Sequence, residues 1–352
     1  MSYKGASDTG GVYFPPEWAE QEAVMLTWPH EGTDWAGMLT EVEQTYLQIA
    51  REILRREKVL AVCRDSGRVK QLFTEEESGG MILFEIPCND TWARDHGPLF
   101  TLRNGIPVIH DFQFNGWGGK FEASLDNLIT SELYKQGAFS REAEFKSHPS
   151  FVLEGGSIET NGHGTILTTS RCLLHPNRNP CLTKKEIEKE LMQFSGTGQV
   201  LWLDHGFLEG DDTDSHIDTL ARFCDKNTIC YVKCRDPKDI HYAELRKMEK
   251  ELKNFRTPEG TPFHLVPLPM PEPVYNDAGR RMSATYANFL IINRALLVPL
   301  YNRPTDREAF EILGEIFPDR QTIGINCLPL IEQNGSLHCV TMQIPRGFLR
   351  LT

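Results

Sequence analysis

A module recurs along this chain at a spacing of about sixty residues, and it limits the fold more than any other feature of the sequence. Its fullest copies read as strand, tight turn, strand, helix and returning strand. The copy from Gly164 to Leu203 predicts a strand over Thr165–Thr169, a Ser170-Arg171 turn and a strand over Cys172–His175. A helix over Lys184–Phe194 and a short strand over Gln199–Leu203 complete it. Thr183, with Glu186 three residues on, marks the helix start as a capping box. The copy from Leu220 to Pro269 predicts a strand, an Asp225-Lys226-Asn227 turn, a strand over Ile229–Lys233, a helix over Ala243–Asn254 and a strand over Phe263–Pro267. From Tyr286 to Cys327 the order returns, with strands over Phe289–Ile292, Ala295–Leu300 and Gln321–Asn326 and a helix over Arg307–Ile316. A partial copy opens the chain, with strands over Val59–Cys63 and Met81–Ile86 and a helical segment near Val69–Thr74.

Such a unit cannot bury both of its faces alone, whereas copies stacked around an axis can. An open α/β sheet also alternates strands and helices. The recurring hairpins disfavour it, as does the lack of a GxGxxG after the first strands. The glycine-rich stretch Asn115-Gly116-Trp117-Gly118-Gly119-Lys120 fails as a Walker A loop, because Phe121 stands where Ser or Thr is needed. It is expected to be a turn or a flap bearing Trp117.

At 352 residues the chain is long for one compact core, which favours two or three domains or a repeat architecture. Its 40% hydrophobic and 24% charged residues are those of a globular protein. The net charge of −12 makes nucleic acid and anionic membranes poor partners. Met1–Glu20 has no apolar core of the kind a signal peptide needs, and Asn293 and Arg294 interrupt the apolar stretch Phe289–Leu300. The expectation is a cytoplasmic protein whose nine scattered cysteines are free thiols. Cys230 and Cys234 lack the second pair that a zinc site would require.

Reactive side chains gather in loops after the returning strands. These are Asn89–Pro98, Glu154-Gly155-Gly156, Glu209–Asp218 and Asn334–Cys339. Glu154 follows Asp95 by 59 residues, His216 follows Glu154 by 62, and Cys339 follows His216 by 123, two periods. One group per repeat, all facing one axis, would bring carboxylates, a histidine and a thiol together. Taken singly, each group also has an ordinary structural role: a buried thiol, a hydrogen-bonded histidine, a strand-end turn. The acidic run Asp211–Asp218 misses EF-hand spacing, since His216 stands at the fifth position and Ile217 replaces the glycine. No metal is expected.

These motifs resemble those of the agmatine deiminases and related bacterial-type peptidyl-arginine deiminases, in the guanidino-group-modifying (pentein) superfamily. The resemblance rests on Asn89-Asp90-Thr91-Trp92-Ala93-Arg94-Asp95 with Gly97-Pro98, Phe114–Gly118, and Leu153-Glu154-Gly155-Gly156. It extends through Cys172-Leu173-Leu174, Asn177–Pro180, Asp212–Asp218 and His338-Cys339, from about residue 12 to 345. It implies a single α/β domain over residues 1–352, a five-bladed α/β propeller. Two departures stand out: Asn334-Gly335-Ser336 and Ser215 occupy positions where the family usually has glycine.

A guanidinium presents a planar fork of donors and calls for paired carboxylates. The resemblance implies Asp95 and Asp218 as that clamp, Cys339 as nucleophile, His216 as acid and base, and Glu154 as the group orienting His216. Cys172, Cys224 and Cys327 are then expected to be dispensable for the chemistry. Agmatine carries an amine where free arginine carries a carboxylate, so Asp90, Asp212 or Asp214 would receive it while Trp92 and Trp117 pack on its methylenes. The implied activity converts agmatine to N-carbamoylputrescine and ammonia, in polyamine biosynthesis, with no cofactor, and a homodimer is a further expectation. Peptidyl-arginine deimination, amidino transfer and mere guanidine binding stay open.

Overall fold

The computed structural model describes residues 11–350. Met1–Gly10, half of the stretch inspected for a leader, and Leu351–Thr352 lie outside the described residues. Those described form five small sheets of three or four strands each, in a mixed α/β arrangement. Three sheets follow one plan. Ile158–Thr160, Ala221–Phe223 and Leu290–Ile292 each form a hairpin with the next strand. A helix then crosses over, and Gln199–Leu203, His264–Pro269 or Gln321–Asn326 returns parallel to the hairpin's second strand. The sequence predicts these returning strands to within two residues.

The crossover helices Lys184–Ser195, Tyr242–Asn254 and Thr305–Ile316 bury residues at helical spacing, such as Ile187, Leu191 and Phe194 in the first. The capping box is present, with the Thr183 N–H donating to Glu186 Oε2 at 2.7 Å. The second strands Thr228–Lys233 and Ala295–Leu300 are mostly apolar and buried almost throughout, as expected of strands covered on both faces, and Thr165–Thr169 is equally buried but threonine-rich.

Cys172–His175 is not a strand. Ser170–Leu173 is a helical turn, with Thr169 Oγ1 accepting from the Cys172 N–H at 3.3 Å. The hairpin lies upstream instead. Asn161 Oδ1 accepts from the backbone of His163 and Thr165, and Gly162 and Gly164 adopt positive φ, so Ile158–Thr160 folds back on Thr165–Thr169.

The fourth sheet, absent from the predicted repeats, holds Val12–Tyr13, Leu99–Arg103, Ile106–Gln113 and Glu144–Val152 on the same hairpin-then-return plan. The fifth joins the two ends of the chain: Thr341–Pro345 runs antiparallel to Gln21–Thr27, and Lys58–Cys63 and Met81–Glu85 continue parallel. The helix expected near Val69–Thr74 spans Ser66–Gln71, because Asp65 Oδ1 caps it by accepting from the Arg68 N–H at 2.9 Å. No described helix is long and apolar enough to cross a membrane.

Candidate active site

The last strand of every sheet leads to a loop that delivers one part of a common buried cluster, of which Asp95 and Cys339 reach the wall of the adjoining pocket. Met81–Glu85 leads to Asp95 on the turn Ala93–His96, and Glu144–Val152 leads to Glu154 and Gly156. Gln199–Leu203 leads to His216 and Asp218, and Gln321–Asn326 to Cys339. His264–Pro269 leads to Asn288, which carries no signal in the sequence. The pocket measures about 390 Å³, and Asp90, Trp92, Asp95, Trp117, Asp212, Asn334, Gly335 and Cys339 are among its walls, with Asp34 and Phe121.

Asp95 is buried and fixed by two donors, Trp117 Nε1–H to Oδ2 and Gly156 N–H to Oδ1, both at 2.9 Å. His216 Nδ1 lies 3.6 Å from Asp95 Oδ1. Burial raises the Asp95 carboxyl to about 6, with His216 pulling it down and Asp218 pushing it up. Burial disfavours a charged His216, yet Asp95, Cys172 and Glu154 together raise its affinity for a proton well above the usual imidazole range.

Asn288 holds the loop that carries Cys339. Its Oδ1 accepts from the His338 N–H at 2.9 Å and from the Cys339 thiol at 3.4 Å, while its Nδ2 donates to Asp218 Oδ2 at 3.3 Å. Cys339 Sγ stands 3.8 Å from that same Asp218 oxygen. Burial, Asp218 and Asp95 push the thiol well above its ordinary range, so it rests protonated. A cation seated between these carboxylates would reverse that push.

Gly156 makes the close approach of these groups feasible. A Cβ there would lie 2.7 Å from His216 Nδ1, 2.8 Å from Asp95 Oδ1 and 3.1 Å from Asp218 Oδ2. Gly156→Ala is therefore expected to fold yet lose turnover on the order of 100-fold, by displacing all three groups. Steady-state rates beside a thermal melt check this.

Glu154 is fully buried, but its charge is answered by a residue other than His216. Arg178 Nε donates to both of its oxygens, at 2.8 and 3.0 Å. Arg178 lies inside the Asn177–Pro180 motif, so its signal was present in the sequence and unassigned. Ligand atoms of Glu154, Cys172 and His216 come within 4.8 Å of one another, a donor set of the kind that holds a metal. The Arg178 guanidinium already neutralises the carboxylate there. Cys172 thus lies against the His216 ring.

The tail carboxylates divide. Asp90 accepts from Trp92 Nε1–H at 3.0 Å and is raised to about 7 by burial, Asp34 and Asp126. Asp212 accepts from Asn334 Nδ2–H at 2.7 Å and is raised to about 6 by burial and Asp211. Asp214 faces elsewhere: its carboxylate is taken by Arg178 at 2.7 Å and Lys120 at 2.8 Å, and it is not among the pocket's walls. Trp117 serves Asp95 as a donor as well as walling the pocket. Of the residues that depart from glycine, Ser215 and Asn334 keep the left-handed backbone, with φ of 67° and 70°, and Ser336 does not.

A family model described as Porphyromonas-type peptidyl-arginine deiminase matches residues 13–345. A curated Vibrio parahaemolyticus protein named "Putative agmatine deiminase" is 35% identical over 358 residues, covering 95% of this chain and 97% of its own. A crystal structure of the "Putative Arginine Deiminase from Porphyromonas gingivalis" superposes with a TM-score of 0.93 at 54% identity, covering 96% of this chain and 100% of that one. A C. jejuni agmatine deiminase solved with substrate bound gives a TM-score of 0.89 at 40% identity, covering 99% of both chains.

Proposed function

The chain belongs to the Porphyromonas-type peptidyl-arginine deiminase family, and from that premise we propose that it hydrolyses the guanidinium of agmatine to N-carbamoylputrescine and ammonia. One observation supports the chemistry above all. Asp218 Oδ1 is buried without a hydrogen-bond partner in the chain, beside Cys339, and the buried His216 ring has only the Cys172 thiol and, at 3.6 Å, Asp95 Oδ1 against its nitrogens. Unpaired buried polar atoms are costly, and a guanidinium offers the forked donors that would satisfy an oxygen on each carboxylate. In this proposal the five sheets act as blades of one propeller domain whose axis carries the site.

Once the cation is bound the Cys339 thiol passes its proton to water, which carries it to bulk solvent, and the thiolate attacks the guanidinium carbon as the C=N electrons move onto nitrogen. The tetrahedral adduct collapses as protonated His216 gives its proton to the departing nitrogen, releasing ammonia and leaving an amidino-thioether. His216, now neutral, takes a proton from water as that water attacks the same carbon. The C–S bond breaks, and the ureido product leaves with Cys339 restored. Glu154, paired with Arg178, contributes negative charge that favours the protonated His216. No metal or organic cofactor enters these steps.

Agmatine is favoured over arginine by the acidic far wall, where Asp90 and Asp212 would meet an ammonium and a carboxylate would be repelled. Asp214 is withdrawn from that role, since its charge is spent on Arg178 and Lys120. A cytoplasmic enzyme supplying a polyamine route, working as a homodimer, completes the proposal. Incubation with agmatine, free arginine and an arginyl peptide tests it: ammonia and N-carbamoylputrescine from agmatine are expected. Preference for arginine or peptide would reassign the substrate.

Two further outcomes follow from the tail carboxylates. Asp212→Asn is expected to raise KM for agmatine roughly 10-fold with little change in kcat, because the amine's charge is constant along the reaction. Asp90 and Asp212, raised to about 7 and about 6, become neutral as pH falls through those values, so KM for agmatine should rise on acidification. An alkylguanidine lacking the amine should show a weaker rise.

A further inference from the structure

Beneath the clamp lies a largely buried lattice of charges that the proposed reaction does not use, its centre partly open to a pocket lined by Glu17, Arg94, Glu159 and Gln343. At its centre is Glu17, on the segment before the strand Gln21–Thr27. Its carboxylate accepts from Arg94 Nη1 at 3.2 Å, from Gln343 Nε2 at 2.9 Å and from Arg222 Nη2, and it meets His338 Nε2 at 2.7 Å. Arg222 is fully buried, pairs also with Glu159, and donates to the carbonyls of Ala287 and Phe289 at 3.0 and 2.9 Å. On its other side, His338 Nδ1 reaches Asp218 Oδ2 at 2.8 Å. Glu17, Glu159 and His338 bring ligand-type atoms within 4.8 Å of one another, and the Arg222 guanidinium already supplies a cation to that cluster.

His338 is therefore gripped between two carboxylates. Burial opposes charge on both, but Arg222, His338 and Arg94 hold Glu17 well below the usual range, and His338 holds Asp218 below it. Ionised carboxylates only accept, so both short contacts are hydrogen bonds only while both ring nitrogens carry protons. Burial, Arg222 and Arg94 outweigh Glu17 and Asp218, so the ring holds its second proton less firmly than an ordinary imidazole and depends on the two carboxylates to keep it at all. A neutral ring would turn a lone pair toward one carboxylate, and Arg222 Nη2, 3.1 Å from Nε2, is placed to stabilise that ring.

We propose that Glu17 is a positioning residue for the reaction. It keeps His338 donating to Asp218 Oδ2, which turns Asp218 Oδ1, unpartnered in the chain, toward the substrate guanidinium. The inference rests on the clamp role given to Asp218 under Proposed function. The charged groups facing this pair are Arg94, Arg222 and Glu159 from below and Asp95, His216 and Cys339 from above; Asp95, at about 6, and Glu159, at about 8, titrate in the same range in every variant, so the readout is the difference between variant and wild type.

The test is the pH dependence of kcat/KM on agmatine for the wild type, Glu17→Gln and Glu17→Asp. Loss of the carboxylate leaves His338 neutral, and Asp218, deprived of a positive donor, takes up a proton more readily. Glu17→Gln should move the acidic limb up by about one pH unit, with a loss of about 10-fold in kcat/KM on that limb and a smaller one at alkaline pH. Glu17→Asp should restore the wild-type limb. An unshifted limb, or a uniform loss at every pH, overturns the proposal. Neutron diffraction from the wild type decides it without turnover, should Glu17→Gln fail to fold or agmatine prove the wrong substrate. Protons on both His338 nitrogens support the role of Glu17, and a bare Nδ1 facing Asp218 contradicts it.

Discussion

Cys339→Ser is expected to abolish turnover, lowering kcat by about 10⁴-fold or more, as when the nucleophile of a triad-like set is removed. A hydroxyl at that position is small enough to keep the Asn288 contact, so folding and substrate affinity should survive. The control must be chosen with care. Cys181 is exposed and remote from the pocket, so Cys181→Ser should be silent. Cys172→Ser should not be silent, because that thiol shares its surroundings with Glu154 and His216. Near-normal activity in Cys339→Ser would remove the covalent route.

The second large effect belongs to the clamp. Asp95→Asn and Asp218→Asn each leave a buried cation short of its partner, a break that costs about 3–5 kcal/mol in other proteins. At 1.36 kcal/mol per decade this is a loss of roughly 10² to 10³-fold or more, and it should fall on kcat. Asp95 would also set an amide nitrogen against the Trp117 or Gly156 donor. Asp218 would lose its hold on His338 and on the Asn288 amide. Steady-state kinetics on agmatine and on an amine-free alkylguanidine, with melts of each variant, separate this from the KM effect expected at Asp212.

The contrast between Asp218 and Asn288 shows which parts of the site a sequence exposes. Asp95, Glu154, His216 and Cys339 stand in loops dense with charged and small residues, at intervals near the repeat length, so spacing and residue chemistry point to them together, while the family resemblance adds Asp218. Asn288 sits in an apolar stretch just before the strand Leu290–Ile292, where nothing distinguishes it from a turn residue. Glu17 and Arg222 act through contacts spanning some two hundred residues of sequence, and no local pattern encodes such a pairing.

The error at Cys172–His175 arose from the ambiguity of short apolar runs, which suit strand and helical turn alike. The deciding information was the Asn161–Gly164 turn, which supplies both the positive φ and the side-chain acceptor a hairpin needs. Asp214 failed for a different reason. Charge in a pocket loop suggests a ligand, but Arg178, 36 residues earlier, had already claimed it. The sheet of Leu99–Arg103, Ile106–Gln113 and Glu144–Val152 escaped notice because its returning strand is mostly polar and half-exposed, without the apolar run that marks the others.

Covalent deimination at Cys339 is tested most directly by acid-quenching the enzyme during agmatine turnover and mapping its peptides by mass spectrometry. The peptide bearing Cys339 is expected to gain the mass of agmatine less ammonia, and no other cysteine peptide should change. Turnover to N-carbamoylputrescine with Cys339 unmodified at every quench time, or with the adduct on another cysteine, would contradict the assignment.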